Sequence, residues 1–490
     1  MLHNHLPTIA IKRIVCVLLM LTADSLFYDQ PVGWTAGLYA GLLGLMLMLF
    51  NRNLLQTIAG KVVIFCTVTL IIALFESPDL RTISLTGIGM MTLLILQKRK
   101  KLSCAVLWLK DITSFLSQGV WQWYKDLKNI KRITPTKARD KVNLNYAIIP
   151  VSLTLLFGML FAQANPIIAK ALGDINWQLL SRFISLWRWL FWFSTGVVVW
   201  ALLRPRFRLA ADHVPGASIN LDRWLNRQTI VLSLVLFNSL FALQNSLDIA
   251  FLWSGEALPD GVNYAQYAQA GAYPLLFICL LTAAYVLITF GDHRQHYQTD
   301  TAKKLTFVWL GQNIFLLMSA INRLLHYIEV YSLTYLRITA LIGMALTAVG
   351  LLLIITRIYA NHRNSWLVNA NALVIAVTLY GTCFINMDRM IADYNVRHAL
   401  EITGKGSSVD LVYMRSLGSE SLPALRWFQA NAKYSPHQTI RANLLIAELE
   451  SQASASDSNW RAWTWRKHRQ TEFKSAPVQA VPIDQSGWRY

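Results

Sequence analysis

Apolar residues in this chain fall in long blocks, and short polar stretches rich in Lys and Arg separate them. A helix needs about 20 mostly apolar residues to cross about 30 Å of hydrocarbon. By that rule the pattern predicts spans near 9–27, 32–50, 56–75, 79–97, 145–162, 183–203, 228–253, 269–290, 305–325, 336–356 and 366–387. The first and fourth are the most interrupted, by Lys12-Arg13 in one and by Gly and Thr residues in the other. The predicted fold is all-α: a polytopic membrane helix bundle of about 11 transmembrane helices with a small helical extracytoplasmic C-terminal tail.

Two stretches break the pattern. In 98–144, which opens with Lys98-Arg99-Lys100-Lys101, the residues Leu102, Ala105, Val106, Leu109, Ile112, Leu116, Trp123, Leu127 and Ile130 recur at helical spacing. A basic amphipathic helix on an anionic inner leaflet fits this stretch, with Trp108, Trp121, Trp123 and Tyr124 in the headgroup layer. An ordinary positive-inside loop is the plainer reading. Nucleic acid is not an expected partner, because no stacking platform or recognition motif accompanies the basic run. In the tail, Val412 through Trp427 and Ile440 through Leu449 look like short helices, Ser451–Ser458 like a linker, and two or three helices suffice for the whole. The expected organisation is a four-span segment over 1–97, a cytoplasmic basic segment over 98–144, a seven-span core over 145–387 and a soluble tail over 388–490.

Composition agrees with a membrane bundle. The chain is 54% hydrophobic and 14% charged, against about 45–50% and about 25% for soluble proteins. That excludes a single soluble globule, a fibrous repeat and a disordered chain. A mean hydropathy of +0.38 leaves room for the soluble stretches.

The net charge of +19 has an uneven distribution. With the N-terminus inside, the inner loops collect 26 Lys and Arg, 12 of them in 98–144. The outer loops hold six: Arg81, Lys170, Arg182, Arg188, Arg323 and Arg337. The positive-inside rule then places the N-terminus in the cytoplasm, and an odd span count exports the tail. Lys12-Arg13 before an apolar run, with Ala23-Asp24-Ser25 after it, has the outline of a signal peptide. A retained first helix is the expected reading, since further spans follow at once.

Sites of known chemistry are scarce. The five cysteines form no C-x-x-C, and no phosphate-loop, hydrolase-elbow, zinc-protease or dinucleotide motif occurs. His293 and His296 beside Asp292 have metal-compatible spacing, but such pairs are commonplace in polar loops, so no metal or cofactor is expected. Gly33, Gly37, Gly41 and Gly44 form a small-residue ridge suited to close helix packing.

Polar residues inside spans carry more information, because lipid penalises them unless they find partners. One group is Asn238, Gln244, Asn245 and Asp248 in span seven. A second is Gln312, Asn313, Asn322, Arg323, His326 and Tyr327 of span nine, followed by Glu329 and Arg337. A third, Asn369, Asn371, Asn386, Asp388 and Arg389, closes span eleven. Asp248 with Arg323 and Glu329 with Arg337 are the expected pairs. Asn245, Asp248, Arg323, Tyr327, Glu329, Arg337 and Asp388 are candidates to line a polar cavity that opens outward; mutual interhelical hydrogen bonds are the structural alternative.

Several runs also resemble a known family. They are Asn263-Tyr264-Ala265-Gln266-Tyr267-Ala268 with Gly271, the stretch from Arg323 to Arg337, Asn386 through Arg397, Asp410 through Leu425, and Trp460-Arg461-Ala462-Trp463. In this order, and with Ala164-Asn165-Pro166, they resemble an uncharacterised family of bacterial multi-pass inner-membrane proteins carrying a domain of unknown function, over roughly 140–470. Ser332 departs from the resemblance, standing where the family typically has Gly. The resemblance implies fold and location, and carries no activity.

Three functions are consistent with this reading. The leading one is a membrane scaffold or regulatory protein with a membrane or periplasmic protein partner. The alternatives are a transporter or channel lined by spans seven, nine and eleven, and an enzyme on a lipid-linked substrate. Acid–base work near the outer surface would fall to Asp248, Glu329 and Asp388, with Arg323 for phosphate.

Overall fold

The computed structural model describes residues 6–50, 54, 56–99, 104–133, 154, 185–210, 226–254, 264–289, 300–432, 436–457 and 459–471. Among these residues there is no strand. Up to residue 382 the chain comprises α1 (Leu6–Phe27), α2 (Thr35–Phe50), α3 (Ile58–Glu76), α4 (Leu80–Arg99), α5 (Ala105–Ile133), α6 (Leu186–Leu203), α7 (Arg227–Asp248), α8 (Tyr264–Thr289), α9 (Asp300–Tyr331), α10 (Tyr335–Tyr359) and α11 (Asn364–Thr382). The tail follows with α12 (Met387–Arg397), α13 (Leu400–Thr403), α14 (Leu411–Ser416), α15 (Leu422–Asn431), α16 (Pro436–Asp457) and α17 (Trp465–Thr471). Each predicted span coincides with a helix except that near 145–162, which lies outside the described residues but for residue 154.

Seven of these helices are long and apolar enough to cross a membrane: α3, α4, α6, α7 with its extension to Trp253, α9, α10 and α11. Their polarity is inverted relative to a soluble helix. On α7 the exposed face carries Leu232, Leu236, Leu240, Leu243 and Leu247, while the buried face carries Asn245 and Asp248 beside Leu234 and Phe241. An apolar rind around polar interior positions is the arrangement hydrocarbon solvent imposes.

The chain forms two compact units. One contains residues 1–68, 86–101 and 108–210. In its core Cys16 and Leu19 of α1 meet Val199, Trp200 and Leu203 of α6, with Tyr39, Leu42, Leu43 and Met46 of α2 packed against them. The other contains 69–85, 102–107 and 211–490, and an apolar core runs through it from Ile230 on α7 to Leu449 on α16.

Three expectations need correction. The tail has six α-helices and a 3-10 turn (Gly418–Ser421) among the described residues, not two or three helices. Ser451–Asp457 continues α16 rather than forming a linker: Ala and Ser are compatible with helix, Ser454 back-bonds to the Glu450 carbonyl (2.8 Å), and Gln452 reaches Glu448 (3.1 Å). Asn386, Asp388 and Arg389 do not close the eleventh span. That helix ends at Thr382, and the Asn386 side chain accepts from the Arg389 amide (3.1 Å) as the N-cap of α12.

Candidate functional site

The polar faces of α7 and α9 meet at a buried ion pair. The Arg323 guanidinium donates to Asp248, and the two side chains are 4% and 0% exposed. One turn back, Gln244 donates to the same carboxylate oxygen at 2.9 Å. Immediately after Asp248 the helix widens into a π turn over Ile249–Trp253, a local irregularity frequent at special sites. It brings the Trp253 indole N–H to Ser319 (3.1 Å) and its ring onto Phe315. Nearby, Asn245 donates to the Gln312 carbonyl (3.2 Å), and Asn313 accepts from Thr282 of α8 (2.9 Å) while donating to the Trp309 carbonyl (2.8 Å). Among the described residues, Asn245 Oδ1 and Gln312 Oε1 are buried without a hydrogen bond.

The turn between α9 and α10 forms a second centre. Asn395 of α12 grips Leu333 by both backbone groups, accepting from its N–H (2.6 Å) and donating to its carbonyl (2.9 Å). Tyr413 of α14 accepts from the Tyr335 amide (3.0 Å), and the Tyr335 hydroxyl donates to Asp388 (2.6 Å). Ser332 faces Ser407 at 3.0 Å between hydroxyls. Gly406 has φ 86°, and a Cβ there would lie 3.4 Å from the His398 carbonyl and 3.5 Å from that of Glu329. Burial raises the Tyr394 hydroxyl above its ordinary pKa, and the Glu329 carboxylate adds to the rise.

The expected Glu329–Arg337 pair gives way to other partners. Glu329 meets His326 at 3.2 Å. Arg337 turns back to the carbonyls of Tyr331 and Ser332, with its guanidinium 4.5 Å from the centre of the Tyr327 ring. The seven candidate residues therefore divide: Asn245, Asp248 and Arg323 lie in the α7–α9 interface, and Tyr327, Glu329, Arg337 and Asp388 at or beside the turn.

At the basic stretch, Lys98 donates to the Phe207 carbonyl (2.7 Å) with its ammonium over that ring (4.0 Å). Arg99 pairs with fully buried Asp111 of α5 and donates to the Ala210 carbonyl (2.5 Å), while the Ala210 amide donates to Asp111 (2.7 Å). The apolar stripe expected on α5 is split, with Ile112 buried alongside Leu107 and Phe115, and Leu109, Leu116 and Trp121 exposed. Lys100, Lys101, His293, His296, Asn263 and Ala164-Asn165-Pro166 lie outside the described residues, as do the side chains of Tyr264, Tyr267, Trp123 and Tyr124. Among the described residues no group of three His, Cys, Asp or Glu is placed to hold a metal.

Sequence reasoning missed several of these contacts. Asp111 and Asp126, the latter bonded to Arg204 and Arg206 at 2.8 and 2.6 Å, carry no role in the sequence pattern; an acid recurring on the Leu107–Phe115 face of a basic helix is the signal that marks them. Asp24, read as part of a cleavage-site outline, pairs with Arg188 and accepts from the Trp192 indole (2.8 Å), tying α1 to α6.

Helices with apolar exteriors, polar interior contacts and a docked helical tail define a polytopic membrane protein. The chain belongs to the family of the domain of unknown function DUF4153, whose model matches residues 37–427. No curated protein and no solved structure matches it.

Proposed function

We propose that the chain is a membrane scaffold or regulatory protein whose C-terminal tail receives a protein partner. The observation that carries this reading is the tail's surface. Its helices are fixed to the α9–α10 turn through Asn395, Tyr413 and Asp388, yet Val412 on α14 and Ile440 and Leu444 on α16 are 81%, 54% and 68% exposed. Large apolar side chains left outside on an anchored, otherwise polar element are characteristic of an interaction face. Further support comes from the bundle, where Asp248, Arg323, Asn245, Arg337 and Asp388 all bond to other parts of the chain.

The reading includes a bacterial inner-membrane location, a cytoplasmic N-terminus and a periplasmic tail from 388 onward, on the strength of the Lys/Arg asymmetry. The test is complementation of a gene deletion. Val412→Ser/Ile440→Ser/Leu444→Gln is expected to insert normally and fail to complement, while Asp248→Asn/Arg323→Gln complements. The reverse outcome contradicts a scaffold.

One observation favours a transporter as the second reading: the buried, unbonded oxygens of Asn245 and Gln312 beside the ion pair. Under it, proteoliposomes carry a solute flux that Asn245→Leu abolishes.

A further inference from the structure

Helix α16 has two faces. Ala442, Leu445, Ile446 and Leu449 lie in the apolar core. On the opposite side His437, Ile440, Arg441, Leu444, Ala447 and Ser451 are exposed, at the spacing that puts them on one face. The bulk of that outer face is uneven. Ile440 and Leu444 stand toward its start, 54% and 68% exposed, and the small Ala447 and Ser451 follow. Val412 of α14 enlarges the face: it stands one turn before Arg415, which pairs with Glu448 of α16.

Two opposite charges line one flank of this face, two turns apart. The Arg441 guanidinium makes no hydrogen bond or ion pair among the described residues. Glu448 takes its bonds from Arg415 and from Gln452 (3.1 Å) on Oε1, and Oε2 takes none among the described residues. Large side chains and an unpaired cation therefore precede small side chains and an open carboxylate oxygen. Such a face complements itself when reversed. A second α16 turned end for end sets Leu444 of one copy against Ala447 of the other, and Ile440 against Ser451. At 1.5 Å of rise per residue, Arg441 of each copy then falls within a turn of Glu448 of the other, on the same side of the seam. A parallel pair would instead set Arg441 against Arg441, which like charges oppose.

We propose that α16 packs antiparallel against α16 of a second copy of this chain, through Ile440, Leu444, Ala447 and Ser451, with Arg441 of each copy paired to Glu448 of the other. The proposal rests on the reading of this surface as an interaction face and identifies its occupant as the chain itself. The same patch serves on both sides, so the contact closes as a dimer. Both copies share one membrane, so the two-fold axis runs along the membrane normal, with the two helices side by side across it. Val412 widens the contact at the large end of each helix.

Two differently tagged full-length copies, co-expressed in native membranes, test this. One carries Leu444→Cys and the other Ala447→Cys, and mild oxidation is expected to join them in a mixed disulfide, which forms only between closely facing positions. With Arg441→Glu in both copies, or Glu448→Arg in both, each contact sets like charges together, and the mixed species should fall about tenfold. With Arg441→Glu in one copy and Glu448→Arg in the other, both contacts again join opposite charges. The yield should then recover, which misfolded variants would not show. Absence of the mixed disulfide, or no recovery in the last combination, would overturn the proposal. So would a photo-crosslink from position 444 that runs to a different protein, to lipid or within the chain in place of a second copy. A different protein would leave the tail's role in receiving a partner standing, whereas lipid or an internal contact would overturn that reading as well.

Discussion

Ser332 has a left-handed backbone, with φ 71°. Its side chain is the cause of a cost that glycine would not incur, about 1–2 kcal/mol for a residue with a Cβ. The Ser407 hydroxyl at 3.0 Å offsets part of that cost. Ser332→Gly should therefore stabilise the protein by about 1 kcal/mol, read as a higher thermal midpoint in detergent; a lower midpoint would mean the hydroxyl contact outweighs the strain. The resemblance that expects Gly here thus agrees with the geometry. At the ion pair the sign is opposite. Asp248→Asn or Arg323→Gln alone leaves a buried charge without its counter-ion, a loss of about 3–5 kcal/mol. The double variant removes both charges, so it should lose less than the sum of the singles, as measured by denaturant titration in mixed micelles. Additive losses would show that the two side chains act separately. This pair was legible in the sequence because each residue is the only Asp, Glu, Lys or Arg in its predicted span, 228–253 or 305–325, at matching depth. Asn395 was not, since an Asn in a polar tail carries no sign that its amide bridges a backbone more than 60 residues away.

Helices follow directly from the apolar blocks, because lipid demands a full complement of internal backbone hydrogen bonds along each span. Their lengths and places were readable for that reason. The short tail helices were less so: their ends depend on side-chain caps such as Asn386 and Asp410, and Ala/Ser-rich sequence such as 451–457 takes its state from its context. At this scale the clamp on the α9–α10 turn decides whether the tail stays docked. Asn395→Ala strands the Leu333 N–H and carbonyl at a cost of about 2 kcal/mol. The variant should become sensitive to limited proteolysis between α12 and α15 while the membrane helices stay protected. Unchanged protection of the tail would show that the apolar contacts of Ile391, Val396 and Phe428 suffice without the amide.

The molecule as a whole is organised by two solvents. On α7 leucines face outward, and the charged pair Asp248–Arg323 lies inside. Under the proposed topology the net charge of +19 marks orientation, with 12 of the 45 Lys and Arg in 98–144. A reporter fused after residue 490 should be active only in its exported form; activity only in its cytoplasmic form would reverse the topology. What the tail does there is the central question. A photo-crosslinking residue placed at Leu444 in native membranes tests it most directly. The expected result is one discrete protein adduct that disappears with Val412→Ser/Ile440→Ser. Adducts to lipid alone would contradict the scaffold reading, because the exposed face would then be a membrane contact and not a partner's.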